Sequence, residues 1–416
     1  MTVVEPAALL TPRRAVQVFL AFASAYFLSA LIRTITATLS PTLTAEFNLQ
    51  ARDLGLLAGG YFLGFSMTQL PLGAWLDRYG PRRVLCSFLA IAVLGCVAFW
   101  QAQSFTGLLL ARMLCGVGVS ACLMAPLTAF RRWFDGPAQL RANSWMLMTG
   151  SLGMVASTLP VQWLMPAVGW RALFLGLALL LMLAMAMVAW QAPRAAGVTG
   201  EGPQGPFWAS YREVWAHPYF RRMTPIGFFC YGGLLAVQTL WVVPWMTRVS
   251  RYTPDEAAQG FFWINVCMLF TFWLWGLLNP RLAQRGLHAN TLIAWGQPLS
   301  FACLGLLVLV GDSWRWHIEI LLALYCMACS FVSLSQPAVG MAFPPAVAGR
   351  ALSAFNLVLF AGIFSVQWGI GLLIDGFRAL GATEVDAFRG AMAVFLVCCI
   401  GSYLHFLGSG RDNQPP

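Results

Sequence analysis

Lysine is absent from this chain of 416 residues, and charge of either sign is scarce. Only 10% of the residues are charged, whereas 59% are apolar, and the mean hydropathy is +0.71. Soluble chains carry about a quarter charged residues, because a water-facing surface needs polar cover. The composition therefore excludes an ordinary water-soluble enzyme. It also excludes a disordered chain, a collagen-like repeat and a disulfide scaffold. No G-x-x-x-x-G-K-[ST], H-E-x-x-H or G-x-S-x-G occurs, so nothing points to an ATP-driven pump, a zinc peptidase or a serine hydrolase. No cofactor and no metal is expected. The eleven cysteines fall inside apolar runs without zinc spacing to histidine, and read as small buried hydrophobes. The 25 basic residues, all arginine, outnumber the 15 acids by ten. They cluster in short segments between apolar runs, which marks a lipid bilayer rather than nucleic acid as the partner.

What the chain has in abundance is long apolar runs. A spanning helix needs roughly 20 apolar residues, and twelve such runs are present, at about 16–41, 54–76, 84–101, 104–130, 143–166, 171–191, 222–246, 259–279, 290–310, 317–341, 351–375 and 387–408. Backbone amides in hydrocarbon must be satisfied internally, so these are helices, and the absence of period-2 patterning excludes a barrel. The predicted class is an all-α polytopic membrane protein. The first run is too long for a cleaved signal peptide and has no A-x-A site. The connection from Gln191 to Arg222 is the longest, with Gly197, Gly200, Gly202, Pro203, Gly205 and Pro206 followed by an aromatic and charged stretch suited to an interfacial helix. It divides the chain into six-helix bundles at 1–191 and 222–416, joined by residues 192–221. With both termini inside, sixteen arginines fall in cytoplasmic segments and seven outside. That bias predicts a multi-pass protein of a bacterial-type inner membrane with cytoplasmic termini.

Between the second and third runs stands Gly73-Ala-Trp-Leu-Asp77-Arg78-Tyr-Gly80-Pro81-Arg82-Arg83. It resembles the loop signature of the major facilitator superfamily, G-x-x-x-D-R-x-G-R-R, with Pro81 as a departure. A degenerate echo follows the eighth run, where Gly276, Arg281 and Arg285 recur at the offsets of Gly73, Arg78 and Arg82, and Pro280 replaces the acid. Arg112-Met-Leu-Cys-Gly116-Val-Gly118 is similar to the family's fourth-helix pattern. The resemblance implies twelve helices in two pseudo-symmetric bundles and alternating access around a central cavity lined by helices 1, 4, 7 and 10. It also implies that the Asp77, Arg78, Arg82 and Arg83 loop braces one state of the cycle. Topology alone needs no acid at Asp77.

Two ionisable residues sit well inside spans, Arg33 in the first and Arg112 in the fourth. Burying an arginine midway costs on the order of 3 kcal/mol, and it cannot escape by losing its proton. Arg33 lies on a polar stripe with Tyr26, Ser29, Thr36 and Ser40, at steps of three or four that put all five on one face. A substrate anion bound by Arg33 is expected, with Arg112 either sharing that role or serving structure and coupling. The second half offers no embedded charge. Tyr231, Gln238 and Trp241 in the seventh run and Gln336 in the tenth are candidates for the neutral side of the pocket, against interhelical hydrogen bonds as the alternative. Trp245 is assigned to the interfacial aromatic belt. Embedded carboxylates are missing, which disfavours export of cationic drugs.

The function expected is therefore a secondary transporter, not an enzyme, that carries a small organic anion such as a carboxylate inward as a monomer. A coupling proton would ride on the substrate or use a peripheral acid. The alternatives are an efflux carrier for a neutral or anionic compound and a transporter-like receptor that binds without moving its ligand.

Overall fold

The computed structural model describes residues 9–193, 207–310, 313 and 317–409. Among them every regular element is helical and there is no strand. The spans are α1 (Pro12–Phe47), α2 (Ala51–Met67 and Gln69–Tyr79), α3 (Pro81–Gln101), α4 (Phe105–Trp133), α5 (Gly136–Ala156), α6 (Leu159–Gln191), α7 (Pro218–Val249), α8 (Pro254–Gln284), α9 (Ala289–Val310), α10 (Ile318–Met341), α11 (Pro345–Ala379) and α12 (Glu384–Gly408). Ten described helices are long and apolar enough to cross a membrane. The other two, α2 and α5, fall short locally. α2 is divided at Thr68, and α5 carries Gln139, Arg141, Asn143 and Ser144. The pattern fits the twelve expected spans. Gly169, whose φ of 72° and ψ of 163° lie outside any helix, divides α6 into two helices, 159–168, which follows α5, and 170–191, which is the sixth expected span.

Most helices outrun the apolar runs that announce them. α1 begins four residues earlier than counting suggests and α11 extends to residue 379. Apolar counting stops at the first charges, but a helix persists through the polar headgroup region. Residues 194–206, the glycine- and proline-rich part of the connection, lie outside the described residues. The aromatic part is a helix, Phe207–Ala216, with Tyr211 and Val214 buried and Arg212 and Glu213 exposed. Tyr211 donates to the Leu70 carbonyl at 3.2 Å, which ties this connecting helix to α2.

The contacts give directions. Arg82 reaches the Ala189 carbonyl, Cys86 that of Met185, and the rings of Phe99 and Phe174 stack at 3.9 Å, so α3 and α6 run antiparallel. α1 and α5 run parallel, since Phe19 meets Trp145, Tyr26 meets Gly150, and Thr38 donates to Ser157. One face of the molecule carries Leu10, Trp133 and Ala189. The other carries Asn48, Ala102 and Trp170, where Trp170 and Arg171 both bind Glu46 at 2.7 Å. We call these the terminal and the opposite face.

Small residues set the helix spacing, as they do where apolar side chains gain nothing by leaving lipid. A Cβ at Gly116 would overlap the Tyr61 carbonyl, and one at Gly64 that of Met113, which binds α4 to α2. The two halves meet chiefly along α2 and α11. Gly55 faces the Gln367 carbonyl, Gly371 faces that of Ala51, and the rings of Phe65 and Phe360 stack at 4.1 Å. By contrast, a Cβ at Gly73 would come no nearer than 4.0 Å to Ser353 Oγ, so its smallness is not used for contact here.

Candidate functional site

Midway through the molecule, α1, α4 and α7 bring together five of the residues singled out from sequence, Tyr26, Ser29, Arg33, Arg112 and Tyr231. Arg33 is half-buried and lies within electrostatic range of Tyr26, Tyr61 and Tyr231, the last contributed by the other half of the chain. Its Nε is buried and has no hydrogen-bond partner among the described residues, and no carboxylate pairs with it there. Ser29 is buried one turn away with its hydroxyl likewise unpartnered. Arg33 is thus a permanent cation without a counter-charge, its neighbours being phenols.

Arg112 sits close by but in different surroundings. It is 0% exposed, donates through Nη1 to the Ile32 carbonyl at 2.9 Å, and lies 5.1 Å over the ring of Tyr61. Its guanidinium ties α4 to α1 one residue from Arg33. Tyr61 is the residue that sequence reasoning missed. It is fully buried, donates to the Ser29 carbonyl at 3.3 Å, and stands between the two arginines. Its signal was a lone tyrosine after Gly59-Gly60 in an otherwise apolar stretch, which by itself reads as core.

The candidates from the second half do not all join this cluster. Tyr231 does. Gln238 donates to Asn265 of α8 at 3.1 Å, Gln367 to Thr239 at 2.9 Å, and Trp241 to the Gln367 carbonyl at 3.1 Å, forming a buried amide network. Gln336 donates to Asn356 of α11 at 2.5 Å. The Oε1 atoms of Gln238 and Gln367 have no partner among the described residues. α7 carries three π-helical turns, Gly227–Tyr231, Val237–Trp241 and Trp245–Val249, a departure from α geometry that often accompanies functional sites. Thr36 is buried in α1. Trp245, assigned from sequence to the aromatic belt, is 0% exposed, with its ring 6.4 Å from that of Phe388. Two of its neighbours in the same helix turn, Val249 and Met246, are buried as well, so this end of α7 is enclosed by protein rather than lipid.

The loop between α2 and α3 is built as a tight turn. Gly80 takes φ 79°, which favours glycine, and Pro81 opens α3 at its first position, where a missing N–H costs nothing. The departure at Pro81 is thus a helix start. Asp77 pairs with Arg132 at the end of α4 at 3.3 Å, Arg78 lies over Tyr79, and Arg82 donates to the Ala189 carbonyl. The loop joins the ends of α2, α4 and α6 within the first half.

On the opposite face the halves are clasped. Asp375 of α11 accepts from the backbone N–H of Ala51 at 3.2 Å and of Arg52 at 2.9 Å, at the start of α2. Gln162 donates to Asp255 at 3.0 Å. A cavity of about 650 Å³ opens beside this clasp.

With this geometry in view, comparison with known proteins is informative. The family model of the Major Facilitator Superfamily matches residues 22–366. A probable L-galactonate transporter of Escherichia coli (strain K12) is 26% identical over 139 residues, so the alignment spans about a third of either chain. The probable sulfoacetate transporter SauU of Cupriavidus necator is 25% identical over 406 residues, covering 92% of this chain and 88% of that protein. The probable anion transporter 1, chloroplastic, of Oryza sativa subsp. japonica is 24% identical over 93% of this chain and 75% of its own. Among solved structures, a bacterial homologue of the human lysosomal transporter Spinster superposes with a TM-score of 0.76 at 17% identity, covering 96% of this chain and 98% of that one. A D-xylose–proton symporter does so at 0.75 and 12%, over the same shares. The structural likenesses show the fold, and the family match covers most of the chain. The chain is a multi-pass membrane protein and belongs to the Major Facilitator Superfamily.

Proposed function

We propose that this protein is a secondary transporter that carries a small organic anion into the cell by alternating access, with Arg33 as the contact for the anionic group. The observation that carries this reading is the state of Arg33. A guanidinium deep in the molecule costs several kcal/mol unless something compensates it. Arg112 bonds a carbonyl and a ring but is fully enclosed, its Nε and Nη2 left unpartnered among the described residues and out of a solute's reach, whereas Arg33 is only half-buried, with phenols around it and an Nε left over. A carboxylate or sulfonate accepting from Arg33 would complete its hydrogen bonds and neutralise it. Tyr26 and Tyr61 from the first half and Tyr231 from the second would hold the body of the substrate, so that binding draws the halves together. Ser29 and Thr36 extend the same face, and Gln238, Trp241 and Gln336 would be recruited as the second half moves. Arg112 positions α1 beneath the site.

Relatives of this chain bear the names of transporters for sulfoacetate, L-galactonate, hexuronate and galacturonate, all anions. They support the substrate class without choosing a member. Two six-helix bundles, 1–191 and 222–416, would rock about this centre, and the Asp77–Arg132 pair with Arg82 would brace the terminal face. Since the described acids lie towards helix ends and in loops, a coupling proton would travel on the substrate or use a peripheral acid.

The test is a thermal-shift screen of organic anions on the purified protein and on Arg33→Gln. A charge-assisted bidentate contact is worth about 1.5–3 kcal/mol, so the substitution should weaken binding about tenfold to 150-fold. Equal stabilisation of both proteins by the same ligand removes Arg33 from the site. Counterflow of that ligand in proteoliposomes separates a carrier from a receptor.

A further inference from the structure

We propose a second anion site in the cavity on the opposite face, distinct from Arg33 and closed only while the two halves meet there. Its volume of about 650 Å³ lies within the range of small-molecule pockets, about 300–1,000 Å³. Three arginines line it, Arg52, Arg248 and Arg378, against two carboxylates, Asp375 and Glu384. The three arginines differ in their partners. Arg248 is held by Glu384 at 3.3 Å, and Arg52 lies 3.8 Å from Asp53 and 3.9 Å from Asp375. Arg378 donates through Nη1 to the Ala382 carbonyl at 3.2 Å and has no ion pair among the described residues, so its charge is the one open to a ligand. Aromatic surface from Trp241, Tyr252 and Phe388 lines the same cavity. Burial and the bond to Glu319 push the Tyr252 phenol up to about 12, so it stays neutral and adds no negative charge. These features suit an organic monoanion, its carboxylate or sulfonate on Arg378 and its body against the aromatic side chains.

The position gives such a ligand a consequence. Thr44, Gln50 and Arg52 line the cavity from the first half, and Arg248 and Arg378 from the second. An occupant touches both halves beside the Asp375 clasp, so it stabilises the arrangement in which they meet and must leave before they part. The site is therefore specific to one state, unlike the central one.

Equilibrium dialysis of full-length protein in detergent with labelled gluconate, a polyhydroxy monoanion, tests this, with sorbitol as the uncharged counterpart. Arg33→Gln protein should bind one gluconate per chain. Adding Arg378→Gln should weaken that binding about tenfold or more, and Arg378→Lys should restore part of it. Sorbitol should not compete. No gluconate binding to Arg33→Gln protein, equal binding with and without Arg378→Gln, or effective competition by sorbitol overturns the proposal. Because Arg378 is exposed, its substitution leaves the fold intact, which a matching melting temperature verifies. If Arg33→Gln leaves the number of sites at its wild-type value while Arg378→Gln removes one, the central reading fails and this one stands.

Discussion

Arg33 and Arg112 are the same residue type at the same depth, since the Nη1 of one donates to the carbonyl preceding the other. Their fates differ through what surrounds them. Arg112 is enclosed, with a carbonyl and the Tyr61 ring supplying partial negative charge. Removing it leaves a cavity and takes away the hydrogen bond from α4 to α1, so Arg112→Ala should lower unfolding stability by about 2–4 kcal/mol, read from denaturant-induced unfolding in detergent. Arg112→Lys should recover little, because an ammonium cannot both reach Ile32 and lie flat on the ring. A loss below about 0.5 kcal/mol would mean that the guanidinium does not hold α1 to α4. Both arginines were visible in the sequence as embedded charges. Which one stays partly exposed was not, because Arg112 is enclosed between Tyr61 and Ile32, and neither advertises itself in an apolar run.

Helices here approach as closely as their smallest residues permit. Gly116 meets the Tyr61 carbonyl with no room for a methyl, whereas a Cβ at Gly73 would stand 4.0 Å from its nearest neighbour, an ordinary van der Waals separation. Gly116→Ala should therefore cost about 1–3 kcal/mol of overpacking, and Gly73→Ala less than about 0.5 kcal/mol, when melting temperatures of the two variants are compared. Equal shifts would contradict the register of α2 and α4. The loop motif thus owes its glycine to something other than contact in this state. At the join between the halves, Asp375 accepts two N–H groups at the start of α2, where the helix dipole also favours an anion. Asp375→Ala should release this clasp, raising the open population at the opposite face about tenfold for a loss of about 1.4 kcal/mol. The measure is the maleimide labelling rate of a Thr44→Cys reporter at that face. An unchanged rate would show that α2 and α11 are held by their small-residue contacts alone.

For the whole molecule, orientation is the prediction that stands on sequence most directly. Sixteen arginines against seven predict a cytoplasmic terminal face, so Ser409→Cys in intact cells should react with an impermeant maleimide only after permeabilisation. Twelve apolar runs, the midpoint connection and the loop motif from Gly73 to Arg83 were also legible. Each is a local property, because lipid acts on every segment separately and demands about 20 apolar residues and a closed backbone from each one. Which helices touch was not legible. Trp245 reads as interfacial and is enclosed by protein, Gln238 and Gln336 read equally as pocket amides or interhelical hydrogen bonds and bind Asn265 and Asn356, and Asp375 caps a helix 324 residues away. Hydrocarbon offers no preference between one apolar partner and another, so pairing rests on glycines, carbonyls and amides meeting across long separations. Folding in three dimensions alone brings Arg378, Arg248 and Trp241 around one cavity, and sets Arg33 among three tyrosines without a counter-charge among the described residues.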